Sequence, residues 1–373
     1  MLEFSAVEGR PDSSWAIEAY HELDVAHSLE VLGEDLTMSS ERTRAFLASE
    51  ETGLRVLLLA VAGPRPSGPP GRLGLPLAPA SPREVLGVAL FSLPTADNQH
   101  LVDDLFIMVA ASARRHGVAT ALLQQVLRIA RDRGRDTVLA WSERRLGPEA
   151  DALPQLAAPT GSGTVPADGN ALFLQAMGFE LAQVERQSRL RLPVPGHLLE
   201  ELRSQGEAAA GAGYRIVSWR GEVPAAYLEP VAALYGAMST DAPVGSVDFR
   251  AEHWDAERVL RHDRELLLSG ELVQTIALSS TTGLAAAHTA LFVPLASPER
   301  PEQHNTVVLS EHRGHRLGLW VKASNLALLS TEFPQARHID TWNADENSHM
   351  LAINTALGFR PHAVTGAWQI RVG

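Results

Sequence analysis

Two stretches of this sequence have the residue types and order of an anion-binding turn. In the first, a strand-like run over 101–109 passes through Arg114-Arg115-His116-Gly117-Val118-Ala119 into a helical pattern that ends near Gly134. In the second, a run over 305–309 passes through Arg313-Gly314-His315-Arg316-Leu317-Gly318 into a helix ending near Leu329. The first N–H groups of a helix have no intrahelical partner and sit at the positive end of its dipole. A diphosphate fits there when small residues let the backbone approach it. Gly117 and Ala119 meet that need in the first copy, Gly314 and Gly318 in the second, and Arg114 and Arg313 add charged donors. One Arg-Gly helix start is often only a solvated cap. Two in register carry more weight.

The elements around the turns repeat as well. Each turn is followed by a helix, a short apolar strand (136–141 and 338–342), and a second helix that stops at Gly178-Phe179 or Gly358-Phe359. Val118, Leu122, Val126 and Ile129 mark one buried stripe, and Leu317, Val321, Asn325 and Leu328 mark its counterpart. The mixture of strands and helices in each half predicts an α/β (α+β) architecture present twice in tandem. The expected domains are 1–192 and 214–373, joined by a linker over 193–213 where Pro and Gly cluster. Two insertions are expected in the first half, a floppy surface excursion at about 63–82 and a loop at about 144–169.

Composition narrows the function. The chain has 373 residues and a net charge of -12, against the basic surplus of a nucleic-acid binder. It has no cysteine, so thiolate metal sites and a Cys nucleophile are excluded. Lys322 is its single lysine, which leaves no polybasic membrane anchor. No apolar run is long enough to span a bilayer, and the first residues lack a signal pattern. A cytoplasmic protein with no metal, nucleic-acid or membrane partner is expected.

Arg114-x-x-Gly117-x-Ala119 resembles the Gln/Arg-x-x-Gly-x-Gly/Ala signature of the GCN5-related N-acetyltransferases (GNATs), and 170–179 and 347–359 resemble that family's later helix. The tandem arrangement is similar to that of mycothiol synthase and other two-domain bacterial acetyltransferases. The resemblance implies two GNAT-like domains, each with a central sheet whose fourth and fifth strands splay apart. Acetyl-CoA would pair through its pantetheine with Ile107, Met108 and Val109, or with Thr306, Val307 and Val308. Its pyrophosphate would lie on Arg114–Ala119 or Arg313–Gly318. The second copy departs from the signature, because Arg316 stands where glycine is usual.

Acetyl transfer to an amine needs a proton acceptor and a donor for the leaving thiolate. The family commonly places a Tyr four residues before the glycine of Gly-Phe; here those positions hold Leu174 and Asn354. Asn354 is the candidate hydrogen-bond donor in the second half, where Asn343 and Asn347 also border the expected cofactor cleft. Asn347 alternatively caps its helix. Asp104, beside Asp103, is the candidate base in the first half, and His288, with Glu271, in the second. Trp342 reads as core. The expectation is an acetyl-CoA-dependent N-acetyltransferase acting on a primary amine of a small molecule or peptide, with one half active and the other degenerate. The alternative is a non-catalytic CoA-binding or interaction protein on the same duplicated fold. Duplication of a fold that often pairs favours a monomeric pseudo-dimer or a homodimer.

Overall fold

The computed structural model describes residues 1–4, 13–50, 52–64, 68–241 and 243–373. Contacts divide the chain into two units: Met1–Val184 with Gly245–Phe249 and Ala363–Gly373, and Glu185–Val244 with Arg250–His362.

The first repeat runs β1 (Leu2–Glu3), α1 (Ser14–Val31), α2 (Ser40–Ala48), β2 (Gly53–Val61), β3 (Val85–Pro94) and β4 (Leu101–Val109). It continues through α3 (Val118–Asp132), β5 (Thr137–Arg145), α4 (Pro148–Asp151), β6 (Gln155–Ala157), β7 (Thr164–Pro166), α5 (Gly169–Ala176) and β8 (Glu180–Arg191). The second runs α6 (Gly196–Ala210), β9 (Tyr214–Arg220), α7 (Leu228–Asp241), α8 (Ala256–Leu267), β10 (Gly270–Ser279), β11 (Ala285–Pro294) and β12 (Glu302–Val308). It ends with α9 (Leu317–Glu332), β13 (His338–Ala344), α10 (Ser348–Leu357) and β14 (Arg360–Arg371). No helix among the described residues is long and apolar enough to cross a membrane.

In unit 1 the strands lie in the order β1-β2-β3-β4-β5, antiparallel except for the parallel β4–β5 pair. Unit 2 repeats this as β9-β10-β11-β12-β13, again with one parallel pair, β12–β13. The closing strands are exchanged. β14, the last strand of the second repeat, pairs with β5 of unit 1, whereas residues 185–191 of β8 pair with β13 of unit 2. The units therefore depart from the sequential halves at their ends, because backbone pairing and not chain order decides where a strand belongs.

α3 forms where the apolar stripe predicts it. Leu122, Val126 and Ile129 are buried against Val102, Leu105 and Val138 of the sheet. Three expectations are corrected. The 193–213 stretch is not an open linker, since α6 buries Leu199, Leu202, Gly206 and Ala210 at helical spacing. Gly206 lets α6 approach α9, for an added Cβ would lie 2.6 Å from Trp320 Cβ. The 144–169 stretch holds α4 and the β6–β7 hairpin, with Ala158 and Val165 in the core. The described part of the 63–82 excursion is docked rather than loose. Leu77 and Ala78 are buried, and the Glu3 carboxylate accepts the backbone N–H groups of Arg72 and Leu73 at 2.9 and 3.0 Å.

Candidate active site

β4 is made irregular by the pair Asp103-Asp104. Asp104 has a φ of 53° and donates its N–H to Asp103 Oδ1 at 2.9 Å. The β3–β4 register slips between Leu90 and Ser92, and the β4–β5 register between Val102 and Leu105. The β4–β5 ladder ends at Leu105–Ala140, so Ile107, Met108 and Val109 border a gap. That gap is a cavity of about 490 Å³, walled by these three residues, Arg114, Arg115, Gly117, Val118, Ala119 and Thr120 of the turn, and Phe173 of α5. His116 is exposed at the tip of the turn.

The turn presents bare helix N–H groups. α3 starts at Gly117 (φ 79°) with no side-chain cap and no acidic residue in its first turn. An added Cβ on Gly117 would meet nothing within 4 Å, so the space before the helix is open. Arg114 does not hold its guanidinium free for a ligand as the sequence implies. It grips Glu30 of α1 through both nitrogens, at 2.9 and 2.6 Å, and its Nε donates to the Val109 carbonyl at 3.3 Å. Its contribution to the cleft is therefore to pin α1 to the turn. Opposite charges in contact hold Glu30 below the usual carboxylate range.

A second cavity of about 360 Å³ lies beside the first, lined by Tyr20, Asp24, Phe46, Asp104, Phe106 and Glu143 among others. It shares two lining residues with the first cavity, His27 and Met108. Asp104 thus lies at the wall of this second pocket. Burial raises the Asp24 carboxyl to about 6, opposed by a hydrogen bond from Tyr20 and by His21. Burial likewise lowers His27, with Glu30 opposing and Arg114 assisting. The α1 residues Tyr20, Asp24 and His27 were missed by sequence reasoning. Their spacing of four and three residues, which puts all three on one helix face, was the available signal.

Unit 2 has the same frame with different chemistry. β12 pairs with β13 only at Glu302–Asp340, so this cleft is parted too. Arg313 repeats the Arg114 arrangement, with Asp241 of α7 at 2.7 Å and the Val308 carbonyl at 3.4 Å. Gly314 (φ 86°) and Arg316 (φ 54°) take the two left-handed positions that Arg115 (φ 65°) and Gly117 fill in the first turn. Arg316 donates to Gln205 of α6 at 3.1 Å. His315 is exposed, while Leu317 and Gly318 are buried and a Cβ on Gly318 would lie 3.0 Å from Ile353. Thr306 bonds Thr289 at 2.8 Å, Val307 is core, and Val308 packs beside Trp320 and Val321.

Several expected site residues of the second half have structural employment. Asn347 caps α10 by accepting the Met350 N–H at 3.1 Å. Asn354 is 1% exposed and donates to Asn343 at 2.7 Å, its own Oδ1 lacking a partner. His288 is fully buried and bonded to Gln274 at 2.9 Å between Trp219 and Tyr235. Burial and the neighbouring His262 push it down to about 3, so it is a core histidine and not a substrate-side base. Glu271 pairs with Arg220 at 3.4 Å. Trp342, expected in the core, is 37% exposed.

Counted from the ion pair at each turn, the acidic residues of unit 1 have no acidic counterpart in unit 2. Asp24 and His27 stand six and three residues before Glu30; Tyr235 and Met238 stand at those distances before Asp241. Asp104 precedes Arg114 by ten residues, as Gln303 precedes Arg313. Glu143 faces Thr365 and Ala344 faces Glu185, and each of those partners lies seven residues past its Gly-Phe glycine. Every carboxylate of the acidic pocket is replaced by Tyr, Gln or Ala. Gln303 is itself tied to Thr289 and the Ala290 carbonyl at 3.1 and 2.7 Å.

Residues 71–150, which contain the first turn, match the family model for the GNAT acetyltransferases. Across its full length the chain superposes on a tandem GNAT protein from the clavulanic acid biosynthesis pathway, with a TM-score of 0.70 at 23% identity over 98% of that chain. The chain has the tandem GNAT fold. A GNAT from Sphaerobacter thermophilus superposes with a TM-score of 0.57 at 13% identity, over 97% of this chain and 95% of the other. The glucosamine N-acetyltransferase region of a fungal multidomain β-N-acetylglucosaminidase gives 0.54 at 12% identity, over 95% of this chain and 37% of the other. No curated protein matches the sequence.

Proposed function

We propose that unit 1 is an acetyl-CoA-dependent N-acetyltransferase for a primary amine, and that unit 2 is a non-catalytic copy of the same fold. The observation that carries this reading is that two cavities of unit 1 share a wall at His27 and Met108. The larger offers a β4 edge without a strand partner toward β5 at one end and the uncapped start of α3 at the other, which suits a pantetheine arm ending in a diphosphate. The smaller carries Asp24, Asp104 and Glu143, whose negative field favours a cationic nitrogen. Asp104 thereby acts as a binder of the incoming ammonium. Loss of all three carboxylates in unit 2 supports the division of labour.

Met108 and its neighbours would hold the thioester by strand-like hydrogen bonds, and the turn would hold the pyrophosphate. The amine, positioned by the carboxylates, would attack the acetyl carbon from the acidic side. Isothermal titration of the whole protein with acetyl-CoA tests the reading. About one site per chain is expected, with Asp104→Asn raising KM for an accepted amine about tenfold while leaving acetyl-CoA binding unchanged. Absence of heat with both acetyl-CoA and CoA would overturn it.

A further inference from the structure

Transfer from a thioester to an amine moves one proton from nitrogen to sulfur. Neither family tyrosine position supplies a group for this, since Leu174 is apolar and buried and Asn354 is bonded to Asn343. We infer that His27 carries that proton, because among the described residues it is the one titratable side chain that lines both the cofactor cleft and the acidic pocket of unit 1. The inference rests on the reading of unit 1 as the transferase. His27 and Met108 are the residues common to the two linings, so a thioester in one cavity and an amine in the other come nearest beside them.

The charged and titratable surroundings of His27 come from four elements and the turn. α1 itself contributes Asp24, bonded to Tyr20, and Glu30. The turn contributes Arg114, and Asp168 stands at the start of α5, where its side chain accepts the Asn170 and Ala171 N–H groups. Asp104 of β4 and Glu143 and Arg144 of β5 line the two walls. Burial outweighs the pull of Glu30 and Asp168, so the ring is neutral at pH 7 and keeps a lone pair for a proton.

The balance closes on this one group. The ammonium held by the carboxylates first gives one proton to solvent; the neutral amine then attacks, its nitrogen bonds the acetyl carbon, and a second N–H proton passes to the imidazole. The C–S bond breaks with its electron pair on sulfur, and the imidazolium returns the proton to the thiolate. The products are the acetylated amine and free CoA thiol, with His27 neutral again. In unit 2 the same position is Met238, which can do none of this.

The test follows thiol release from acetyl-CoA by the full chain across roughly pH 5–9, with a panel of alkyl diamines and amino sugars as acceptors. His27→Gln is expected to bind acetyl-CoA as wild type does but to release thiol about 10²–10⁴-fold more slowly, without the acid limb of the rate profile. Asp24→Asn should keep that limb. His27→Ala should regain thiol release when imidazole is added, a response that a merely structural histidine does not give. A rate for His27→Gln within about threefold of wild type, or an acid limb that persists there and vanishes in Asp24→Asn, would overturn the inference. Acetyl-CoA binding with no thiol release by wild type for any amine would instead remove the transferase reading on which it rests.

Discussion

Gly117 and Gly134 close the two ends of α3 in the same left-handed backbone, at φ 79° and 66°, and a Cβ added to either meets nothing within 4 Å. Replacing either by Ala therefore costs only the backbone strain, about 1–2 kcal/mol. Their consequences for function differ, because only Gly117 borders the larger cavity of unit 1. Gly117→Ala and Gly134→Ala should lower the melting temperature alike, whereas only Gly117→Ala should weaken acetyl-CoA binding by calorimetry. Equal loss of binding in both would mean that the turn does not face the ligand. Gly117 was legible in the sequence, since its role depends on local spacing. His27, Asp24 and Tyr20 were not, because their roles arise when α1 is laid against a strand some eighty residues later in the chain. Nothing in an amphipathic helix announces which strand it will cover.

At the scale of elements, α9 and α3 are the same helix with different interiors. Lys322 stands nine residues after Arg313, and Leu123 stands nine after Arg114. Leu123 is ordinary core, while Lys322 is buried with its ammonium 5.4 Å from the centre of the Phe359 ring. Burial lowers this amine from 10.5 to about 7. The unfolded chain therefore holds this proton more tightly than the folded one. Between about pH 7 and 10.5 the unfolded state binds more protons, so this group makes the fold more stable as pH rises through that window. Lys322→Leu should be more stable than wild type at pH 7 in urea unfolding, with the gap narrowing toward pH 9.5. A gap that widens with pH would show that the amine is charged when folded. In α10 the buried Oδ1 of Asn354 has no partner, so Asn354→Leu, which copies Leu174, should leave thiol release unchanged and stability equal or higher. The repeat itself was readable from the two turns and the two Gly-Phe pairs. The helical nature of 196–210 was hidden by the Pro and Gly residues at its two ends and by Gly206, whose value lies in close approach to Trp320.

On the scale of the whole chain, neither repeat contains the strand that closes its own sheet, and the side chains explain why the exchange is not reversed. β8 and β14 lie in the same register on β13 and β5, so each could hydrogen-bond in the other's place. On β14, Trp368 is buried and donates to Ser142 at 2.9 Å, whereas the matching residue of β8 is Ser188. On β8, Arg189 grips the buried Asp340 through two 2.7 Å bonds, whereas the matching residue of β14 is Gln369. Swapping the strands back would empty a Trp-sized space in unit 1, at about 3–5 kcal/mol, and strand a buried carboxylate in unit 2 at a similar cost. Both terms exceed what a sequence pattern reveals, because apolar alternation alone makes the two strands interchangeable. Fragments 1–213 and 214–373 made separately should therefore show little cooperative unfolding and no acetyl-CoA binding, and should recover both when refolded together. Trp368→Ser should lower the stability of the intact chain by a comparable amount. A fragment 1–213 that alone binds acetyl-CoA as tightly as the whole chain would mean that β8 can serve beside β5, and that Trp368 does not decide the pairing.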